Sequence, residues 1–219
     1  MSPPYDRVVT YLAAAERTAL CDLALELGPD APTLCGDWDV RDLIAHLVLR
    51  DGSLSAVGIV VPPLSGLTDR GMAKLERQHD FETLVNRLRK GPPLHSPFRL
   101  KPVDRLLNAM EYYVHHEDIR RAQPGWEPRA LPPRVQDAIW RGVKTSGRGL
   151  LRNAKVGVVG SRSDQAETAV LKPGSRSVTL HGTPEELAMF VYGRKDQARV
   201  ELRGTDEDIA LLREASLGV

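Results

Sequence analysis

The chain has 219 residues, of which 42% are hydrophobic, 27% charged and 5% aromatic, and 30 basic against 29 acidic side chains leave a formal charge of +1. That length suits one or two cores of roughly 100 to 200 residues, and the balanced charge gives no overall field to hold nucleic acid or an anionic membrane. No apolar run reaches the roughly 18 to 20 residues that span a bilayer, and MSPPYDRVVTYL lacks the basic start and long apolar core of a leader, so the expectation is a cytoplasmic protein. Cys21 and Cys35 have neither CxxC spacing nor the density of a disulfide scaffold, which excludes a structural cysteine-zinc site.

Residues 3 to 28 place Val8, Val9, Leu12, Ala15, Ala19, Leu20, Leu23 and Leu27 at three- and four-residue steps, the period of an amphipathic helix, ended by Gly28-Pro29. Asp39 is placed to cap a second helix through Val40, Leu43, Ile44, Leu47 and Val48 towards Val60, with Pro62-Pro63 as its stop. A third helical region breaks near Gln78 to Asp80. There Asp80 caps a run through Phe81, Leu84, Val85 and Leu88, closed by Gly91-Pro92-Pro93. A fourth helix runs from Pro102 to about Ala122, and a fifth follows Pro132-Pro133 towards Leu150.

Beyond it the period changes. Val156 to Val159, Ala169 to Leu171, Ser177 to Leu180 and Arg199 to Leu202 read as short strands between glycines and prolines. Thr183, with Pro184 next and Glu186 three residues on, caps a helix ending near Tyr192-Gly193, and a last helix fits Asp206 to Ala215. The expected organisation is a helical bundle over 1–150 followed by a small α/β domain over 151–219.

On the fourth helix Glu111 and His115 stand four residues apart, so both project from one face, and Asp118 continues the stripe. His46 follows Asp42 by four residues on the aliphatic second helix. Taken singly, Glu-x-x-x-His on a helix is more often a solvated i,i+4 pair, and a histidine on an apolar helix is usually a satisfied core residue. If the two helices are neighbours, His46, Glu111 and His115 form a two-histidine, one-carboxylate set with an open position, the pattern of a catalytic metal site. Asp118 and Asp42 would then take the outer imidazole N–H groups. Two imidazoles and a carboxylate suit zinc, and also iron, nickel or manganese.

The stretch Thr33-Leu34-Cys35-Gly36-Asp37-Trp38-Asp39-Val40-Arg41-Asp42-Leu43-Ile44-Ala45-His46-Leu47 resembles the T-x-C-x-x-W-x-x-x-D-L-x-x-H-L signature of the mycothiol-dependent maleylpyruvate isomerase N-terminal family, within the DinB-like bundles. Met110 to Asp118 is similar to its second signature, E-x-x-x-H-x-x-D. The resemblance implies a DinB-like up-down four-helix bundle with a divalent metal, usually zinc, on His46, Glu111 and His115. It also implies mycothiol or a similar low-molecular-weight thiol as co-substrate. The tail, with Val178 to Leu187 and Tyr192-Gly193-Arg194, is similar to the small α/β domain that follows the bundle in many members. Arg194 and Arg203 are the candidates there for a catalytic arginine.

The implied function is a thiol-dependent transferase or isomerase acting on a small electrophile. No nucleic-acid or membrane partner is expected, and the chain is a monomer or homodimer. A non-catalytic metal or ligand sensor on the same bundle is the alternative, and a scaffold with a decayed site a third. No protein nucleophile is required, in keeping with the lack of a GxSxG motif. His116, about 100° from its neighbour around the helix, reads as a surface or interface histidine, and His79, His95 and His181 as ordinary loop or strand residues. Cys35 either lines the site or packs as a small hydrophobe, and Trp38 anchors the start of the second helix. Arg141, Lys144, Arg148, Arg152 and Lys155 read as a solvated face or as a wall that attracts anions.

Overall fold

The computed structural model describes residues 4–52, 65–92 and 102–218. The expected stops at Pro62-Pro63 and Pro93, the reach of the second helix towards Val60, and His95 lie outside them. The described residues form two compact units, Met1–Arg129 and Ala130–Val219.

The first unit is helical: α1 Pro4–Leu27, α2 Val40–Gly52, α3 Ser65–Gln78, α4 Phe81–Lys90 and α5 Pro102–Arg121. Their ends follow local chemistry. Gly28 takes a φ of 86° that other residues rarely adopt, which stops α1. Asp39 and Asp42 exchange bonds at the start of α2, Asp42 N donating to Asp39 Oδ1 at 2.9 Å and Asp39 N to Asp42 Oδ2 at 3.2 Å, a reciprocal box that satisfies two amides. Asp42 therefore works as a cap, not beside a metal ligand. Asp80 accepts from Thr83 N at 2.7 Å and starts α4.

Leu20 and Ala24 of α1, Leu43, Ile44 and Leu47 of α2, Leu84 and Leu88 of α4 and Tyr112 and Ile119 of α5 share one core. Each fully buried leucine there contributes about 2 kcal/mol of transfer free energy. α1 lies along α5, α4 packs on α1 and α2, and α3 on α2.

The second unit contains α6 Pro133–Leu150, β1 Gly157–Arg162, β2 Thr168–Lys172, β3 Ser177–Gly182, α7 Pro184–Val191, β4 Glu201–Arg203 and α8 Asp206–Glu214. The sheet order is β2-β1-β3-β4, with β1 and β3 parallel and both outer pairs antiparallel. Val158, Gly160, Val178 and Leu180 are buried, while the alternate Val159, Ser161, Thr179 and His181 are half-buried. One face thus takes the helices.

α6, grouped with the bundle by a boundary at 150, packs on α7 and β2 instead. Its Trp140 ring lies so close over Gly160 of β1 that a Cβ there would come within 2.8 Å of it, which is why that strand position is glycine. Pro132 and Pro133 open α6 as expected, but Thr183 makes no side-chain cap on α7. Glu186 accepts from Arg199 N at 2.7 Å instead and ties down the segment before β4. The architecture is a helical bundle followed by a small α/β unit. Among the described residues no helix is long and apolar enough to cross a membrane.

Candidate metal centre

Helix α5 is buried on two sides and carries polar residues towards both. His46 of α2 and Glu111 and His115 of α5 converge, with one donor atom from each within 4.8 Å of the others. Glu111 Oε1 lies 3.2 Å from His115 Nε2 and 3.8 Å from His46 Nε2. The two imidazoles meet edge to face, their centroids 5.5 Å apart at 72°. Both histidines are buried, but the Glu111 side chain keeps 19% of its exposure, so the cluster has an open edge.

Neighbouring groups orient these side chains. His115 Nδ1 donates to Asp118 Oδ2 at 2.9 Å, which directs Nε2 towards Glu111, and Asp118 is fully buried. The Cys35 thiol donates to the same carboxylate oxygen at 3.1 Å and lies 3.8 Å from His115 Nδ1. Cys35 reaches this place through a local turn. Thr33 Oγ1 donates to Trp38 O at 2.7 Å and accepts from Cys35 N at 3.1 Å, Gly36 has a φ of 65°, and Leu34 N donates to Asp118 O at 3.1 Å. Cys35 thus lines the cluster, and Cys35, His115 and Asp118 form a second convergent group. Trp38 packs its ring on His46 at 5.1 Å, so it anchors a ligand as well as the start of α2.

Charges at the site are set by neighbours. Burial alone would raise the Glu111 carboxyl, but Arg50 and the bonds from His115 and His46 hold it well below the usual carboxylate range. Burial would likewise lower His115, yet Asp118, Cys35 and Glu111 hold it well above a free imidazole. Burial pushes His46 down, so it is neutral. The His46 Nδ1 atom has no hydrogen-bond partner among the described residues.

Sequence reading missed Arg50. It follows His46 by one helical turn on α2, it is buried, and its Nε stands 3.5 Å from Glu111 Oε1. The i,i+4 spacing from His46 was the available signal. His116, expected at a surface or an interface, is buried between helices: its Nδ1 lies 2.7 Å from Glu16 Oε2 of α1, because α1 covers that side of α5. Glu16 also pairs with Arg129 at 3.0 Å, and Glu117 with Arg129, Arg120 and Arg121 at 2.8, 2.8 and 2.7 Å.

Arg194 and Arg203 belong to the second unit. Arg194 follows α7 and donates to Tyr192 O at 2.5 Å, while exposed Arg203 on β4 forks onto Glu201 at 2.9 and 2.8 Å. His181 on β3 bonds Ser161 at 3.1 Å and half-buried His79 pairs with Arg87 at 2.8 Å. Arg141, Lys144, Arg148, Arg152 and Lys155 are all exposed, and Lys144 pairs with Glu167.

The family described as the mycothiol maleylpyruvate isomerase N-terminal domain matches residues 12–93, a span that holds His46 but ends before α5. No curated protein matches in sequence. Among solved structures, the mycothiol-dependent maleylpyruvate isomerase matches at 15% identity and a TM-score of 0.60, covering 91% of this chain and 93% of that one. A histidine-to-alanine mutant of that enzyme matches at 14% identity, with the same coverage and TM-score. Over residues 12–93 the chain thus matches the model of that family, and its fold, a helical bundle with a small α/β unit, is shared with the solved structures of that enzyme.

Proposed function

We propose that this protein is a cytoplasmic, divalent-metal-binding enzyme that uses a low-molecular-weight thiol, mycothiol by class, for transfer to or isomerisation of a small electrophile. The observation that carries this reading is the convergence of His46, Glu111 and His115 from two helices. The donor set suits zinc: two imidazole nitrogens and one carboxylate oxygen, with an open edge at Glu111. A bound divalent cation supplies the charge that lets a thiol give up its proton at neutral pH.

The chain's own residues do the rest. Asp118 fixes the orientation of His115 by accepting its Nδ1–H. Trp38 holds the His46 ring, and Arg50 keeps Glu111 ionised. The partly exposed Glu111 would leave an approach for thiol and electrophile, and the buried residues of α2 and α5 around it would limit water there. Arg194 and Arg203 remain the candidates for contact with an anionic substrate in the second unit.

Elemental analysis of the purified protein, followed by assays of mycothiol addition to a panel of electrophiles, tests this reading. Stoichiometric zinc with turnover, both lost in His46→Ala, is the expected outcome. Tight zinc binding without turnover would favour a sensor, and a protein that takes up no zinc would end the metal reading.

A further inference from the structure

Resting on that metal reading, we propose that Arg50 is a positioning residue that acts as a built-in competing cation, holding Glu111 in place without metal and weakening the grip on metal when it arrives. Three features of the geometry support this. Arg50 lies one turn beyond His46 on α2, and its guanidinium is buried. Its Nη1 is anchored on Asn108 Oδ1 of α5 at 2.5 Å, so the charge is held across the two helices that supply the ligands. Its Nε approaches Glu111 Oε1 at 3.5 Å, the oxygen that also faces His115 Nε2 at 3.2 Å and His46 Nε2 at 3.8 Å.

That shared oxygen gives Arg50 its effect. A cation held by Glu111, His46 and His115 must share a carboxylate with a guanidinium that does not lose its proton and is tied in place by Asn108. Like charges this close repel strongly where water is scarce. A further charged group beside the guanidinium is Asp51, whose Oδ1 lies 3.8 Å from Nη1 and whose Oδ2 is occupied by Tyr112 Oη at 2.6 Å. Asp51 therefore offsets Arg50 only in part. The same charge is favourable in the metal-free protein, where Arg50 pairs with Glu111 at 3.5 Å and aims its carboxylate at the two imidazoles. The site is then assembled before metal arrives, and it holds metal loosely enough to exchange.

Zinc affinity measured by competition with a chromophoric chelator tests this, together with melting of the metal-free forms. Arg50→Gln keeps a donor for Asn108 but removes the charge, and should bind zinc roughly tenfold more tightly or better. Arg50→Lys keeps the charge and should stay near the wild-type affinity. Metal-free Arg50→Gln should melt below the metal-free wild type, with the gap narrowing on zinc loading. Equal or weaker zinc binding by a folded Arg50→Gln, or tightening by Arg50→Lys to the same extent, overturns the inference. If Arg50→Gln fails to fold, Arg50→Met takes its place, because it keeps an unbranched stem and removes the charge: tighter zinc supports the inference, and unchanged or weaker zinc overturns it. A wild type that binds no zinc overturns the metal reading and this inference with it, whereas wild-type binding without tightening in the variants overturns this inference alone.

Discussion

Two sides of α5 bury charge in contrasting ways. Towards α1, Glu16 and Glu117 meet Arg129, Arg121 and Arg120 at 2.7 to 3.0 Å, with His116 completing the group. Those positive charges are guanidiniums, which hold their protons at any ordinary pH. Towards α2, Glu111 and Asp118 flank the imidazole of His115, and Arg50 is the guanidinium beside Glu111. Between the two carboxylates lies an imidazole, whose charge depends on a proton as a guanidinium's does not: burial would lower it, but Asp118, Cys35 and Glu111 hold it well above a free imidazole. One side is a permanent clamp that joins α1, α5 and the chain to Arg129. The other gathers the side chains that the proposed metal would bind, and on that proposal the contrast separates structural from functional burial of charge on one helix.

The contrast is broken most sharply at Glu117. Its carboxylate is almost fully buried between three arginines, so Glu117→Gln leaves buried guanidiniums uncompensated and should cost about 3 to 5 kcal/mol in urea unfolding. Glu111→Gln should cost less, about 1 to 2 kcal/mol, because Asp51 still faces Arg50 and the substituted amide would keep a hydrogen-bonding oxygen at the partly open edge, yet it should abolish stoichiometric zinc binding. If Glu111→Gln proves as destabilising as Glu117→Gln, the two sides of α5 are the same kind of clamp and the distinction fails.

Much of this was legible in the sequence because it depends on short spacings. Glu111 and His115 are one turn apart, Asp118 continues their stripe, and Asp39 and Asp80 sit where helices must begin, so helix faces and caps followed from period and turn chemistry alone. The meeting of α2 with α5 was not legible from spacing, since any pairing of helices satisfies an apolar stripe; resemblance of the two motifs supplied it. His116 was misread for a related reason. A residue 100° from a buried one faces solvent only if no helix covers it, and coverage by α1 is a tertiary fact. The placement of α6 rests on its packing against α7 and β2 and on the approach of Trp140 to Gly160, residues 20 positions apart that no local pattern joins.

A smaller effect, on the α2 side, tests whether neighbouring charge is tuned rather than merely tolerated. Burial pushes the Asp51 carboxyl up to about 6, against the hydrogen bond from Tyr112 and the charge of Arg50. Its folded pKa therefore exceeds the unfolded value of 3.8, so the folded state favours the protonated acid. Stability from this group is fully present below the unfolded value and is lost as pH rises through about 6. Asp51→Asn removes the ionisation while keeping an acceptor for Tyr112. It should raise the melting temperature at pH 7.5 by roughly 4 to 8 °C, a gain that shrinks towards zero near pH 4. A gain of the same size at both pH values would mean that packing, not charge, is responsible.

The smallest expected effect lies in the second unit, where charge is paired at the surface. Arg203 and Glu201 form a fork on β4 with both side chains more than half exposed, so water screens the pair and competes for its donors. Arg203→Ala should leave the melting temperature unchanged. The variant therefore separates structure from chemistry better than any substitution around α5, where a lost partner disturbs folding and function together. If mycothiol-dependent turnover falls in Arg203→Ala while melting and zinc content stay at wild-type values, the arginine acts on substrate. If turnover is unchanged, the exposed fork is the surface counterpart of the buried clamp, and Arg194 becomes the arginine to test next in the same three measurements.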